Sequence, residues 1–486
     1  MKVAMILPAL TEARSPFWRP IKYSHYPPLG LATLAAYLGD EDEVAIYDEH
    51  VEAVPLDASP DLVVIQVYVT SAYRSYELAD RYRARGAHVA LGGLHVTSVP
   101  CEAALHADSI FLGPGEDTWP AFLTDFRRGH PGRVYRSRRR SLRDAPPPRR
   151  DLIKRNLYLV PNSLVVSRGC PHTCDFCYKE AFFRGGASHY TQPVEAALQD
   201  IERLPGRHLF FLDDHLVGDC HFARRLFEGM LGMGRVFQGA ATVDSVMRPG
   251  VLELAADAGL RSLFVGFETL APSNLRAHGK RGNLRHDYGA AVRRMHDFGI
   301  MVNASFVFGM DHDDESAFDR TVEWAVEHGI ETATFHILTP YPGTALHRRM
   351  AEEGRLTTSD WDLYDTRHCV FRPAQMTAGT LEEGYRRAYR AFYSWGSILR
   401  SASTQAGTAR ALRHLAYVGG WKKAEWFWDL VIRLKRVNSF APILEAVLEG
   451  CCRRPSALAA RQPPAPLARP APRPPQLDRT GANSLV

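Results

Sequence analysis

The chain has 486 residues, of which 45% are apolar and 23% are charged, and its net charge at neutral pH is +5. A length of roughly 150 residues per domain corresponds to about three domains. So small a net charge argues against a nucleic-acid partner, and no apolar run reaches the roughly 18 residues of a membrane span. Eight cysteines without a secretion signal are typical of a reducing compartment, so we expect a cytoplasmic protein.

Residues 1–130 alternate apolar strands with amphipathic helices, as a doubly wound, Rossmann-like α/β sheet does. The predicted helices are Leu29–Leu38 and Ala72–Arg85, and the predicted strands are Val3–Leu7, Val44–Tyr47, Leu62–Val67, His88–Leu91 and Ser109–Leu112. Residues 131–160 are basic and contain prolines, which predicts a surface linker with solvated charges.

The strand and helix alternation restarts over residues 161–350. Six strands are predicted, at Ser163–Ser167, His208–Leu212, Gln238–Val243, Ser262–Phe267, Val302–Phe308 and Ala333–Leu338. Helical segments fill the gaps, so each parallel crossover has its helix, and the count favours a partial (βα)6 barrel. Working residues of such folds gather at the carboxyl ends of strands, which here carry Arg168, Asp213, Asp214, Asp244 and Glu268.

A cysteine loop follows the first of these strands. Its C-x3-C-x2-C spacing gathers Cys170, Cys174 and Cys177, and thiolates so gathered are ligands for iron and sulfur. Three thiolates leave one iron of a four-iron cluster open to a substrate or cofactor. A structural zinc site would need a fourth ligand, such as His172 or Cys220, and usually a second paired motif, which the sequence lacks.

The last part of the chain changes character. Residues 351–460 are predicted to form a helical extension, and the Pro/Ala/Arg tail at 461–486 is predicted to be disordered. The segment from Trp421 to Val437 mixes tryptophans with Lys and Arg. Packing on its own domain is the simpler interpretation, and a helix lying on a membrane surface is the alternative.

The run Ser-Arg-Gly-Cys-Pro-His-Thr-Cys-Asp-Phe-Cys at 167–177 resembles the cluster loop of the radical S-adenosylmethionine (SAM) superfamily. With softer matches in the first sheet's loops, residues 1–460 resemble enzymes that join a cobalamin-binding domain to a radical SAM barrel and a helical extension. The resemblance implies a [4Fe–4S] cluster, SAM and cobalamin as cofactors. It also implies a small-molecule or lipidic substrate and an electron donor such as flavodoxin or ferredoxin.

The resemblance also assigns residues to the cofactors. For cobalamin it implies loop positions where small side chains let a corrin approach the backbone, namely Thr70, Ser71, Gly92, Gly93, Gly113, Gly115 and Glu116. For SAM it implies Phe176 at the adenine, Asp213 at the amino group, Glu268 at the ribose and Ser305 on a strand face shared with Asn303. A buried ion pair remains the alternative for Glu268.

Asp48-Glu49-His50 is similar to the Asp-x-His motif by which many cobalamin proteins offer histidine to cobalt. Here Ala53 replaces the motif's glycine, and the triplet follows the second strand instead of the first. We therefore expect no protein side chain below the corrin, with His50 and His95 as loop or pocket residues.

The function implied by the resemblance is C-methylation of an unactivated carbon of a small or lipidic metabolite. A 5′-deoxyadenosyl radical from SAM would remove a hydrogen atom, and methylcobalamin would supply the methyl group. The alternatives are a cyclisation or rearrangement with the same cofactors, and a non-catalytic iron–sulfur protein.

Overall fold

The computed structural model describes residues 1–11, 26–434, 442 and 445–449. Its first part is an all-parallel sheet built from β1 (Lys2–Leu7), β2 (Glu43–Asp48), β3 (Leu62–Gln66), β4 (His88–Gly92), β5 (Ser109–Leu112) and β6 (Val134–Arg136). The strand order is β2-β1-β3-β4-β5-β6. Its helices are α1 (Leu29–Ala35), α2 (Ala72–Arg83), α3 (Leu94–Ser98), α4 (Pro100–Ala103) and α5 (Trp119–Arg127).

Both faces of this sheet are covered. Along β1, Val3 and Met5 pack with α1 and α5, whereas Ala4 and Ile6 pack with α2 on the opposite face. A parallel sheet buried on both faces explains why these strands are apolar at nearly every position. The predicted doubly wound fold is confirmed, and the five predicted strands are found within one residue of their predicted ends.

The segment predicted as a surface linker contributes to the fold. β6 extends the first sheet by pairing with β5. The guanidinium of Arg140 then donates to three backbone carbonyls of the turn after the cysteine loop, those of Phe183, Arg184 and Ala187, at 2.5–3.2 Å. The proline and arginine content predicted a solvated linker. Instead, the Arg140 side chain joins this segment to the turn after the cysteine loop.

The second sheet is also all parallel. It consists of β7 (Ser163–Leu164), β10 (His208–Phe211), β11 (Val236–Thr242), β12 (Leu260–Glu268), β13 (Met301–Phe308) and β14 (Thr332–Ile337), in the order β14-β13-β12-β11-β10-β7. Its helices are α6 (Lys179–Phe182), α7 (Val194–Arg203), α8 (Cys220–Met230), α9 (Val243–Met247), α10 (Val251–Ala258), α11 (Pro272–Ala277), α12 (Tyr288–Asp297), α13 (Ala317–Glu327) and α14 (Ala345–Glu352). Six parallel strands with helical crossovers confirm the partial (βα)6 barrel.

One predicted strand, Ser163–Ser167, divides in two. β7 ends at Leu164, and β8 (Ser167–Gly169) pairs antiparallel with β9 (His189–Thr191). The division has a side-chain cause, because the Asp213 carboxylate accepts hydrogen bonds from the N–H groups of Val166 and Ser167. These two N–H groups are therefore taken out of the parallel ladder.

The helical extension begins later than predicted. Residues 353–377 form a largely irregular strap, pinned by an antiparallel bridge between Leu356 and Phe371. The helices that follow are α15 (Ala378–Phe392), α16 (Trp395–Ser403), α17 (Thr408–Val418) and α18 (Glu425–Arg433). The predicted tail at 461–486 lies outside the described residues, and the proposed domain boundaries at 130, 160 and 350 stay predictions.

The open edge of the barrel is capped by two phenols from α15. The Tyr393 hydroxyl donates to the carbonyl of Ala333 at 2.8 Å and accepts from its N–H at 3.0 Å. The Tyr389 hydroxyl does the same at Phe335, at 3.2 and 3.1 Å. These side chains satisfy backbone groups of β14 that another strand would otherwise pair.

Among the described helices, none is long and apolar enough to cross a bilayer.

Candidate functional site

The cysteine loop leaves β8 through a glycine that its geometry requires. Gly169 has φ +76°, and a Cβ there would lie 2.0 Å from the carbonyl oxygen of Ser188. The next residue, Cys170, donates its N–H to that carbonyl at 2.9 Å. Glycine before the first cysteine is thus needed for close backbone approach.

The three predicted cluster ligands are free thiols, with Cys174 buried and Cys170 and Cys177 half-buried. Burial raises the pKa of Cys174 to about 11; Lys280 works against this rise, and the neighbouring cysteines add to it. Burial also raises the pKa of Cys177, opposed by Lys179. The thiols are close enough to raise one another's pKa. The positive charges of Lys179 and Lys280 would offset the negative charge of thiolates bound to iron.

The two sequence candidates for a fourth zinc ligand are placed otherwise. Cys220 begins α8, and its sulfur accepts from Arg248 at 2.6 Å. The His172 ring lies edge-on to that of His215, with centroids 5.6 Å apart. No three His, Cys, Asp or Glu side chains of the described residues stand close enough to hold a single metal ion. Three thiols without a fourth ligand suit an iron–sulfur cluster better than a closed tetrahedral zinc site.

Asp213 is committed to the backbone. Its carboxylate is 2% exposed and accepts from the N–H and the hydroxyl of Ser167, both at 2.5 Å, and from the Val166 N–H at 3.1 Å. Burial raises the pKa of Asp213 to about 6, although these hydrogen bonds oppose the rise. In the structure its hydrogen bonds fix the strand that leads into the cysteine loop, and its assignment to the amino group of SAM, which the resemblance implied, stays a prediction.

The neighbouring Asp214 faces the loop. Its carboxylate lies 3.1 Å from the Lys179 ammonium and 3.4 Å from the Tyr178 hydroxyl. Asp214 and Tyr178 both line a cavity between the two sheets. The second carboxylate of the Asp-Asp pair is therefore the one available to a ligand there.

Glu268 ends β12 in an unusual conformation. Its φ is +66°, and the pairing of β12 with β13 shifts register between Gly266 and Glu268. The carboxylate lies 2.5 Å from the Lys280 ammonium. Burial acts to lower the pKa of Lys280, but the Glu268 carboxylate outweighs burial, and the pKa is raised. The alternative of a buried ion pair is thus observed, and left-handed backbone at a non-glycine residue is typical of functional sites.

The remaining predicted SAM residues are dispersed. The Phe176 ring packs on the barrel core, edge-on to that of His278 at 5.8 Å. Ser305 is buried on β13, and Asn303 lines the barrel lumen. The Oδ1 atom of Asn303 has no hydrogen-bond partner within the described part of the chain. It is an acceptor available to a molecule in the lumen.

The predicted cobalamin loops meet at the carboxyl edge of the first sheet. Gly93, with φ +115°, needs to be glycine because a Cβ would lie 2.8 Å from the carbonyl oxygen of Val67. Thr70 is buried, and the Ser71 hydroxyl bonds within its own turn at Tyr68. Four more predicted residues lie in this region: Gly92 ends β4, and Gly113, Gly115 and Glu116 follow β5.

A cavity of about 270 Å³ separates this edge from the barrel. Gly30, Tyr68, Gly93 and Glu116 line it from the first sheet; from the barrel come Ser167, Arg168, Tyr178, Phe182, Phe183 and Leu212. The Arg168 guanidinium donates to the Glu116 carboxylate at 2.8 Å and so bridges the two sides. The crevice outside the strand ends is where open α/β sheets bind ligands, so its position fits a corrin, and Gly30 and Gly93 leave the backbone of the first sheet open to it.

His50 is not available to cobalt. Its Nδ1 lies 2.7 Å from the Asp48 carboxylate, and its Nε2 accepts the N–H of Leu10 at 3.2 Å. His95 is buried 5.2 Å from the Trp361 ring, and Trp361 in turn donates to Glu102. Both histidines are packed within the fold, and Trp361 ties the strap to the first sheet.

A second cavity, of about 800 Å³, occupies the barrel lumen. Strand residues on one side and the C-terminal helices on the other enclose it, among them His208, Gln238, Asn303, His336, Tyr385, Tyr389, Tyr417 and Trp428. Leu212 lines both cavities. The sequence missed this enclosure, since no local pattern shows that α15–α18 cover the open side of the barrel.

Family models match the two α/β parts of the chain. The family model described as "Radical SAM superfamily" matches residues 164–325, and the one described as "B12 binding domain" matches residues 23–123. Bacteriochlorophyllide d C-12(1)-methyltransferase of Chlorobaculum tepidum is 30% identical over 388 residues, which cover 77% of this chain and 84% of that protein.

More distant relatives differ in activity. Hopanoid C-2 methylase of Rhodopseudomonas palustris is 28% identical over 69% of this chain and 66% of its own length. The anaerobic magnesium-protoporphyrin IX monomethyl ester cyclase of Rubrivivax gelatinosus is 24% identical over 78% of this chain and 76% of its own.

A solved structure shares the fold. The radical S-adenosylmethionine methyltransferase TsrM of Kitasatospora setae, determined with tryptophan and a SAM analogue, has a TM-score of 0.62 at 16% identity. The match covers 91% of this chain and 99% of that one.

Proposed function

We propose a C-methylation from one premise: the chain belongs to the family of radical SAM methyltransferases that carry a B12-binding domain. It is accordingly an enzyme that uses a [4Fe–4S] cluster, SAM and cobalamin. The proposed reaction adds a methyl group to an unactivated carbon of a small or lipidic substrate. Its electron donor, such as a flavodoxin or ferredoxin, remains a prediction.

The observation that carries the proposal is the meeting of the two cavities at Leu212. One cavity lies between the carboxyl edge of the first sheet and Ser167, Arg168 and Tyr178, which flank the cysteine loop, and the other fills the barrel lumen. A substrate in the lumen would therefore lie next to the cavity in which the cofactors are expected to bind. When bound, the cofactors supply radical hydrogen abstraction and a transferable methyl group, and the protein supplies position and exclusion of water.

Individual residues have separate tasks in this proposal. Cys170, Cys174 and Cys177 would hold the cluster, and Asp213 fixes the strand that presents them. The Arg168–Glu116 pair joins the two sides of the crevice and would help to hold a corrin there. Asn303 offers its unpaired oxygen to a donor on the molecule in the lumen.

The test is anaerobic reconstitution with iron, sulfide and hydroxocobalamin, followed by reduction with labelled SAM and candidate substrates. Methyl transfer predicts 5′-deoxyadenosine and S-adenosylhomocysteine in step with a methylated product. Failure to retain any corrinoid would contradict the proposal.

A second candidate is cyclisation or rearrangement without methyl transfer. The similarity to a cyclase over three quarters of both chains favours keeping it. The same experiment separates the two, since the second candidate predicts 5′-deoxyadenosine without S-adenosylhomocysteine.

A further inference from the structure

The C-terminal helices carry a concentrated exposed apolar face. Ten large apolar side chains are exposed in the described part of the chain, and six of them lie within forty residues. We define five of these six as the C-terminal apolar face: Trp395, Leu399, Trp426, Leu430 and Leu434. Single exposed apolar residues are ordinary on protein surfaces, but such a concentration marks an interaction site.

Helix α18 has apolar side chains on two sides, one packed against the protein and one exposed. Trp428 and Val431 are buried against Leu159 and Val160, ahead of the barrel's first strand. Trp426 is 71% exposed, and Leu430 follows it one turn later on the same side, with Leu434 directly after the helix. The inner side explains how α18 is held, and nothing in the described fold covers the outer side.

α16 extends this surface. Trp395 and Leu399, one turn apart, are both more than half exposed. The Lys423 ammonium lies 5.5 Å above the Trp395 ring, which brings the start of α16 beside the start of α18. Tryptophans flanked by lysine are the side chains that settle at the boundary between water and lipid.

The charge of this region decides between occupants. From Trp395 to Leu434 the sequence has six Arg or Lys and two Asp or Glu, and Lys435 and Arg436 follow outside the described residues. Arg413 is buried, and Arg400 and Lys422 pair with Glu323 and Glu425, so the excess positive charge at this surface comes from the remaining basic residues, Lys423 among them. A surface that is both apolar and basic complements an anionic bilayer, whereas a second copy would bring the same positive charge against itself.

We propose that the C-terminal apolar face binds the surface of an anionic lipid bilayer, with α18 lying in the plane of the interface. The same segment lines the lumen cavity with Lys422, Glu425 and Trp428. If the substrate is lipidic, which rests on the proposed function, the bound face would set the lumen beside the membrane that contains it. Membrane binding itself does not depend on the reaction.

The test is co-sedimentation of the reconstituted full chain with vesicles of phosphatidylcholine alone or with about 30 mol% phosphatidylglycerol. We expect binding to the anionic vesicles that weakens at about 1 M salt. Trp426→Gln with Leu430→Gln should lower the partition coefficient at least about tenfold. Lys423→Gln should lower it roughly fivefold on anionic vesicles and leave binding to neutral ones unchanged.

Leu105→Gln is the matched control, because Leu105 is also 71% exposed but belongs to the first domain. All substituted side chains are exposed or half-buried, so unchanged melting temperatures should accompany the changed binding. Absence of vesicle binding by the unaltered chain, or equal binding by the double variant, would overturn the proposal. A dimer that the double variant converts to a monomer would also overturn it, since the face would then be an interface between copies.

Discussion

Replacing Asp213 tests whether one buried carboxylate shapes the cysteine loop. In Asp213→Ala the Val166 and Ser167 N–H groups lose their acceptor inside the protein. Leaving a buried donor unpaired costs about 1–3 kcal/mol, so two cost about 4 kcal/mol. For a domain of the barrel's size this corresponds to a fall in melting temperature of about 10 °C.

Asp213→Asn separates the charge from the hydrogen bonds. All three donors reach Oδ1, which an amide oxygen can replace. Its melting temperature should therefore lie within about 3 °C of that of the unaltered protein at pH 4, where the buried carboxyl is protonated, and above it at pH 8, where the amide avoids the buried charge. Asp214→Asn, next in sequence and without these backbone contacts, is the matched control; it loses the ion pair with Lys179 but should keep the pH dependence that Asp213→Asn removes.

The pH dependence has a definite sign. The pKa of Asp213 is raised by burial to about 6 in the folded protein, from an ordinary 3.8. Between these values the folded state binds more protons than the unfolded state, so stability declines as pH rises, by about 3 kcal/mol in all. Asp213→Asn should remove this decline.

The assays are thermal unfolding of the apoprotein across pH and iron content after anaerobic reconstitution. Asp213→Ala should lose most of its iron, and Asp213→Asn should keep it. Equal stability of the two variants, or full iron content in Asp213→Ala, would show that the carboxylate does not organise the loop.

Four further outcomes are expected. Changing Cys170, Cys174 or Cys177 to Ala should abolish SAM cleavage and lower iron content, while Cys101→Ala, at an exposed thiol, should do neither; cleavage that survives the triple change would refute the cluster assignment. Arg168→Met leaves Glu116 unpaired at the crevice and should weaken cobalamin retention about tenfold, measured by corrin absorbance after gel filtration, with Arg168→Lys in between. Tyr393→Phe strips both backbone groups of Ala333 of their partner and should cost about 2 kcal/mol in thermal unfolding, nearly additive with Tyr389→Phe; no loss in either would mean that water replaces the phenols. Burial lowers the pKa of His208 to about 4, so the unfolded chain alone takes up its proton below about 6.5; stability should fall by about 3 kcal/mol as pH drops towards 4, and His208→Gln should lack this component.

The sequence was sufficient for the parts of the fold that depend on local pattern. The apolar runs at 62–65 and 263–267 favour buried strands, and their alternation with helices limits the topology. The cysteine spacing likewise indicated its chemistry without any structure.

Other features depend on contacts between distant residues. Nothing near Asp213 in sequence indicates that it would bond residues 46 and 47 positions earlier. Arg140 reads as one charge among many, yet it binds three carbonyls. The lumen cavity requires helices from the end of the chain to close over strands from its middle.

The phenols on β14 have a consequence for the order in which the barrel is completed. β14 leaves the ribosome well before Tyr389 and Tyr393, so until α15 docks its outer edge is a bare template for intermolecular pairing. A fragment that stops before α15 would keep that edge permanently. The C-terminal helices therefore protect the barrel from aggregation by covering this edge. Truncation to the radical SAM domain should yield aggregates rather than a smaller enzyme.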